Sequence, residues 1–232
     1  MRIFGRHFRR YRNRRMVRSE RGRSMICINL YGGPGIGKST LAAELFVELK
    51  HRGIKSELVG EFAKELSYEF AYNVMADQHY LFAIQAHRLW RLEQSGVEVA
   101  VCDSPLLLNL AYDRDPNNGY FAQFVIDTYK RYTNFDYVLE RNEHYWERDK
   151  RKGDVQDAIQ MDKKIDAILL DVWHEMPEKL NPELVPVVND IVDRVEDRIE
   201  EDKNLETVRD SKKSGKVKEI GVPYQDEPWK AA

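Results

Sequence analysis

The amino-acid sequence predicts an α/β fold in which a parallel sheet of about five strands is covered by helices on both faces. Short apolar runs alternate along the chain with longer stretches of helical spacing, a pattern typical of parallel sheets. The 232 residues suffice for one domain with extensions. Apolar residues make up 42% and charged residues 33% of the chain, which excludes a wholly disordered protein. The longest apolar runs fall short of the roughly 18 residues that a membrane-spanning helix needs.

The order of the elements follows from the spacing of the apolar residues. Strands are predicted at residues 26–30, 57–60, 97–102, 137–139 and 185–188. Helices are predicted to include residues 41–49, 63–70, 76–94, 121–132, 159–173 and 191–199. Gly53 is expected to end the first helix, because glycine readily adopts the left-handed backbone of a helix C-terminus.

Charge divides the chain into three regions. Residues 1–24 contain ten Arg and one Glu, so the remaining residues carry −11 within a net charge of −2. We interpret residues 1–24 as a basic, disordered arm, residues 25–202 as the folded domain and residues 203–232 as a C-terminal tail. Three readings of the arm stay open: it contacts nucleic acid, it is a mitochondrial-type presequence, or it precedes a true start at Met25.

The two cysteines limit the expected compartment. Cys27 and Cys102 allow at most one disulfide and match neither a disulfide framework nor a four-ligand zinc site. We therefore expect a cytoplasmic protein, without an association with membranes.

The strongest motif is a glycine-rich turn between the first strand and the first helix. Its sequence matches G-x-x-x-x-G-K-[ST], the P-loop that binds the phosphates of a nucleotide through backbone N–H groups. Lys38 is expected to reach the terminal phosphates, and the hydroxyl of Ser39 to bind Mg²⁺. The predicted ATP-binding residues here are Gly32, Gly33, Pro34, Gly35, Ile36, Gly37, Lys38, Ser39 and Thr40.

Two carboxylates follow predicted strands and are expected at the same edge of the sheet, where α/β proteins bind ligands. Asp103 is a candidate Mg²⁺ ligand, and the alternative is a residue that caps a helix or forms a turn before Ser104 and Pro105. Glu61 is a candidate general base for an attacking hydroxyl, and the alternative is a surface residue at a helix start. Because Ser rather than Glu follows Asp103, a motor ATPase is disfavoured, and the chain has no Asn-Lys-x-Asp motif of a GTPase.

A polar segment from Arg141 to Gly153 is predicted to form an arginine-rich lid over the nucleotide. Arg141 and Arg148 are candidate ATP-binding residues, and Arg151 is a candidate for stabilising charge on the transferred phosphoryl group. A solvated charged surface is the alternative interpretation of this segment.

The long helix predicted at residues 76–94 carries candidate acceptor-binding residues. Gln85 can make two hydrogen bonds to the edge of a base, and Arg88 lies beside it on the helix. The only metal expected is the Mg²⁺ that accompanies the nucleotide.

Four segments resemble a known family of P-loop kinases. Residues 28–39, 57–64, 82–89 and 102–108 are similar to proteins related to the nicotinamide riboside kinase domain of bacterial NAD regulators. That AAA-type family is common in bacteriophages and includes 5-hydroxymethyluracil DNA kinases. The lid departs from the family pattern, because Lys150 stands before Arg151 where the family usually has glycine.

The resemblance implies a kinase that uses ATP and Mg²⁺, with Asp103 near the metal and Glu61 near the acceptor. The acceptor that we favour is the hydroxymethyl group of 5-hydroxymethyluracil in phage DNA, since the basic arm suits a nucleic-acid partner. A kinase of free nucleosides or nicotinamide riboside is the alternative enzyme, and a regulatory module that binds ATP without catalysis is an alternative of another class.

Overall fold

The computed structural model describes residues 24–115, 119–141, 155–181 and 186–216. The strands in these ranges are β1 (Ile26–Tyr31), β2 (Ser56–Val59), β3 (Val99–Cys102), β4 (Thr133–Leu139) and β5 (Glu178–Leu180). The helices are α1 (Lys38–His51), α2 (Phe62–Tyr68), α3 (Tyr72–Met75), α4 (Gln78–Gln94), α5 (Leu108–Tyr112), α6 (Gly119–Tyr129), α7 (Val155–Trp173) and α8 (Pro186–Lys216). None of these helices is long and apolar enough to span a membrane.

The described strands form one parallel sheet with the order β2-β3-β1-β4-β5. Strand β1 lies at its centre and pairs with β3, Asn29 opposite Cys102, and with β4, Tyr31 opposite Val138. Every residue of β1 is buried, as expected for a central parallel strand covered on both faces. Since β2 pairs with β3 in turn, the carboxyl ends of three strands meet along one edge. The predicted α/β fold is confirmed.

Helix α4 illustrates how local sequence sets an element. The side chain of Asp77 accepts a hydrogen bond from the backbone N–H of Tyr80 at 3.1 Å, which caps the helix N-terminus. Leu81, Gln85 and Leu89 recur every four residues and are buried, so one face of the helix packs inward. The predicted helix at residues 76–94 is thus confirmed apart from its first two residues.

One prediction near the C-terminus is wrong. The fifth strand is Glu178–Leu180, whereas residues 186–188, predicted to be part of a strand, begin α8. Pro186 occupies the first helical position, where its missing N–H breaks no helical hydrogen bond. Helix α8 also continues to Lys216, so residues 203–216 of the predicted C-terminal tail are helical. Residues 182–185 and 217–232 lie outside the described residues.

The chain divides into two compact units, one up to residue 193 and one from residue 194 onward. In the described part of the second unit, Arg198 and Asp202 lie one turn apart on α8, and their side chains form an ion pair at 3.2 Å.

Polar side chains form a partly buried network between β1 and β4. The amide of Asn29 donates to Asn134 and to Asp136, both at 2.9 Å, and the hydroxyl of Tyr129 also donates to Asp136. Burial raises the pKa of the Asp136 carboxyl, although the hydrogen bonds from Tyr129 and Asn29 oppose that shift. The network ties α6 to the centre of the sheet.

We expect Asp136 to make stability depend on pH. Its folded-state pKa is raised, so its contribution to stability is complete below the unfolded pKa and is lost as the pH rises through the folded pKa. The free energy of unfolding of the native protein should therefore fall across this window, and that of Asp136→Asn should fall less. Urea denaturation at a series of pH values from about 4 upward measures both slopes. Equal slopes would contradict this assignment.

Candidate functional site

The turn between β1 and α1 has the backbone of a phosphate-binding loop. Gly32, Gly35 and Gly37 adopt φ values of 146°, 72° and 97°, a region that disfavours residues with a Cβ. A Cβ at Gly32 would also lie 2.9 Å from Cγ2 of Ile36. Helix α1 begins directly after Gly37, so its N-terminal N–H groups and partial positive charge are directed at the turn. This geometry supports the predicted nucleotide site.

Lys38 lies against the same turn. Its Nζ donates to the backbone oxygen of Gly32 at 2.8 Å and to that of Gly33 at 3.0 Å. Burial lowers the pKa of Lys38, and the charges of the nearby carboxylates of Glu61 and Asp103 oppose that shift. The ammonium group is thus placed where the turn and the carboxylates at the strand ends meet.

Ser39 and Asp103 are in direct contact. The hydroxyl of Ser39 donates to Oδ2 of Asp103 at 2.6 Å. Asp103 does not cap a helix, because the next helix, α5, begins at Leu108. Its Oδ1 atom is buried and receives no hydrogen bond from any described residue. An unsatisfied carboxylate oxygen beside a serine hydroxyl is the donor set that Mg²⁺ prefers.

The described residues contain no group of three or more His, Cys, Asp or Glu side chains placed to hold a metal ion. This does not conflict with a nucleotide-associated Mg²⁺, which keeps waters and phosphate oxygens and needs only one or two protein ligands.

A cavity of about 200 Å³ lies beside the turn. Its lining includes Pro34 of the turn, Glu61, Gln85 and Asn109. Glu61 immediately precedes α2, yet its side chain does not cap that helix. The geometry therefore places this carboxylate on the cavity and on the same edge of the sheet as Asp103.

Sequence reasoning missed two other residues of this cavity, Asn109 and Tyr112. Asn109 is buried, and its amide donates to the backbone oxygen of Leu106 at 2.9 Å. Burial raises the pKa of Tyr112 to about 12, and the charges of Glu61 and Asp162 act in the same direction. Both residues belong to the short helix α5, whose apolar sequence gave no signal of a binding site.

The two predicted acceptor-binding residues of α4 have different surroundings. Gln85 is buried on the cavity, and its amide donates to the backbone oxygen of Ser104 at 2.9 Å. Arg88 instead donates to the backbone oxygen of Gly60 at 3.1 Å and to the carboxylate of Glu65 at 2.9 Å. These contacts make Arg88 a support for the segment that carries Glu61, and its contact with an acceptor stays a prediction.

Arg141 lies at the turn, held there by a residue that the sequence did not reveal. Its Nε donates to Oδ2 of Asp162 at 2.6 Å, and its Nη1 donates to the backbone oxygen of Pro34 at 3.1 Å. Asp162 belongs to α7 and also accepts the backbone N–H of Gly33 at 2.6 Å. The other predicted lid residues, Arg148 and Arg151, lie outside the described residues.

Comparison with known proteins identifies the family. A family described as an AAA domain matches residues 27–183, more than half of the chain, and the chain belongs to this family. Among curated proteins the comparison found no match.

Two solved kinases are similar to the chain. The Mycobacterium tuberculosis APS kinase CysC in complex with AMPPNP and APS is 17% identical, with 75% of this chain and 99% of that chain covered and a TM-score of 0.42. The deoxyadenosine kinase from M. mycoides with bound dCTP is also 17% identical, with 72% and 97% covered and a TM-score of 0.44.

We expect Asp103→Asn to weaken nucleotide binding only when Mg²⁺ is present. Asparagine keeps an oxygen for the Ser39 hydroxyl but lacks the charge that binds the cation, so ATP affinity with Mg²⁺ should fall about 10-fold or more. Calorimetric titration with ATP, in Mg²⁺ and in EDTA, measures the difference. The control is Asp127→Asn, which removes an exposed carboxylate from α6. An equal loss in Mg²⁺ and in EDTA would contradict a role of Asp103 at the metal.

Proposed function

We propose that this AAA-domain family member is a kinase that transfers the terminal phosphoryl group of ATP to a hydroxyl acceptor. One observation carries the proposal: a single edge of the sheet combines a phosphate-binding turn, a serine–aspartate pair suited to Mg²⁺, and an adjacent cavity with a carboxylate. A protein that only hydrolyses ATP needs no acceptor cavity, whereas a kinase needs both sites side by side.

The binding of ATP is assigned to the turn. Backbone N–H groups of residues 32–40 and the N-terminus of α1 would bind the phosphate oxygens. Lys38 would exchange its contacts with the oxygens of Gly32 and Gly33 for the terminal phosphates. Arg141, already directed at Pro34, would contact the phosphate tail from the lid side.

Ser39 and Asp103 are the residues that would hold Mg²⁺. When bound, this ion neutralises charge on the phosphates. The role of the protein is then to keep both oxygen ligands fixed, which the short contact between the two side chains already does.

Glu61 is assigned to the acceptor. The acceptor oxygen forms a bond to the terminal phosphorus as the bond from that phosphorus to the bridging oxygen breaks, and ADP leaves. The proton of the hydroxyl passes to the Glu61 carboxylate, which acts as the general base. No covalent enzyme intermediate is required.

The cavity favours an acceptor with a planar polar group. The buried side-chain amides of Gln85 and Asn109 lie on its wall, and amides of this kind suit the edge of a base. None of the described residues that line it is Lys or Arg, so within this part of the chain nothing favours a phosphate at that point. The described wall thus suits an uncharged base that carries the reactive hydroxyl.

The resemblance of the sequence narrows the acceptor further, to the hydroxymethyl group of 5-hydroxymethyluracil in phage DNA. A base within DNA would have to rotate out of the helix to enter the cavity. The basic residues 1–24 would bind the DNA backbone; of these, residues 1–23 lie outside the described residues. Free nucleosides or nicotinamide riboside remain the alternative acceptors, and an ATP-binding regulatory module is the alternative without catalysis.

Glu61→Gln should separate catalysis from nucleotide binding. Loss of the general base is expected to lower kcat about 100-fold or more, while the affinity for ATP stays within about twofold. The matched control is Glu69→Gln, at the exposed C-terminal end of α2, which should leave kcat unchanged. Unaltered phosphoryl transfer by Glu61→Gln would remove this residue from the base role.

The acceptor can be identified by one comparative assay. We expect labelled phosphate from ATP to appear on DNA that contains 5-hydroxymethyluracil and not on unmodified DNA, and deletion of residues 1–24 should weaken this labelling most at low salt. Labelling of free 5-hydroxymethyldeoxyuridine or nicotinamide riboside alone would favour the alternative kinase. Tight binding of ATP without transfer to any acceptor would favour the regulatory module.

A further inference from the structure

The carboxylate of Asp162 accepts hydrogen bonds from donors at the phosphate-binding turn. Its carboxylate accepts the backbone N–H of Gly33 at 2.6 Å and two bonds from the Arg141 guanidinium, at 2.6 and 3.1 Å. The contact is close: a Cβ at Gly33 would lie 2.7 Å from Oδ1 of Asp162. The two charged side chains are largely shielded, with exposed fractions of 11% for Arg141 and 24% for Asp162.

These donors are of the type that binds phosphate. A backbone N–H of a glycine-rich turn and a two-point contact from arginine are both characteristic of phosphate recognition. Like a phosphate, a carboxylate presents two negatively charged oxygens that can accept a two-point contact from such donors. The arginine cannot offer the same edge to Asp162 and to a phosphate at once.

The ion pair also joins the first residue of the predicted lid to the helix that follows the lid in the sequence. Arg141 follows β4 by two residues, and Asp162 lies in the first half of α7, with the lid segment between them in the sequence. A second cavity, of about 320 Å³, borders the pair and includes Gly32 of the turn. There is room beside the pair for a ligand group that would compete with the carboxylate.

We infer that Asp162 is an internal competitor of the nucleotide, a positioning residue that holds Arg141 and Gly33 until the phosphate tail displaces it. The inference rests on the proposed nucleotide site. Binding of ATP transfers Arg141 from the Asp162 carboxylate to the more highly charged phosphates, and α7 is released from the turn at the same step. Part of the binding free energy is spent on that exchange, so the native protein binds ATP less tightly than its donors allow.

The test is the affinity for ATP of Asp162→Asn. Removal of the competing charge should lower the dissociation constant about 10-fold, and the gain should shrink at high salt. The matched control is Asp157→Asn, in the first turn of α7, where the side chain is exposed. This variant removes the same charge from the same helix and should bind ATP within about twofold of the native protein.

A double-mutant cycle tests whether the gain in ATP affinity depends on Arg141. In the background of Arg141→Ala the Asp162→Asn substitution should give a clearly smaller gain, because the arginine that it liberates is absent and only the Gly33 N–H remains. Thermal denaturation verifies that each variant is folded. Equal or weaker ATP binding by folded Asp162→Asn, or a gain that keeps its full size without Arg141, would overturn the inference alone. Absence of ATP binding by the native protein would instead contradict the proposed function.

Discussion

The parallel pairing of β1 with β3 is the constraint on which the candidate site depends. Their register places Asn29 opposite Cys102, so the turn after β1 and the aspartate after β3 leave the sheet at nearly the same level. The first turn of α1 then carries Ser39 to within 2.6 Å of Asp103. A slip of one residue would turn the Asp103 side chain toward the other face of the sheet and break this contact. In the same way, the pairing of β2 with β3 brings Glu61, two residues after β2, to this edge of the sheet.

Positively and negatively charged side chains lie close together at the site and largely neutralise one another. Lys38 interacts with three carboxylates, those of Glu61, Asp103 and Asp162, and with the cation of Arg141. Among the described residues, these five groups sum to a net charge of −1, so in this part of the chain the side chains alone give a phosphate tail no excess of positive charge. Two features offset this lack of positive charge. The backbone N–H groups of the turn carry partial positive charge, and Oδ1 of Asp103, which accepts no hydrogen bond from a described residue, could bind a cation.

Sequence patterns predicted the fold well where the signals are local. The strand, turn and helix from Ile26 to His51 follow from an apolar run, a glycine motif and a four-residue stripe, all contained in adjacent residues. The fifth strand was missed because it has three residues, of which only Leu180 is buried. The apolar residues after Pro186 mimicked a strand, yet a proline at a first helical position starts a helix equally well.

For the candidate site, too, the sequence predicted the residues that follow from local signals and missed one that depends on tertiary packing. Motif and strand-end arguments identified Lys38, Ser39, Glu61 and Asp103, because the topology of an α/β sheet brings strand ends together whatever lies between them. Asp162 could not be found that way, since it sits within an amphipathic helix and meets Gly33 across 129 positions of sequence. Its partner Arg141 was recognisable from its place after a strand. The sequence does not predict which carboxylate pairs with Arg141, because that depends on how α7 packs against the turn.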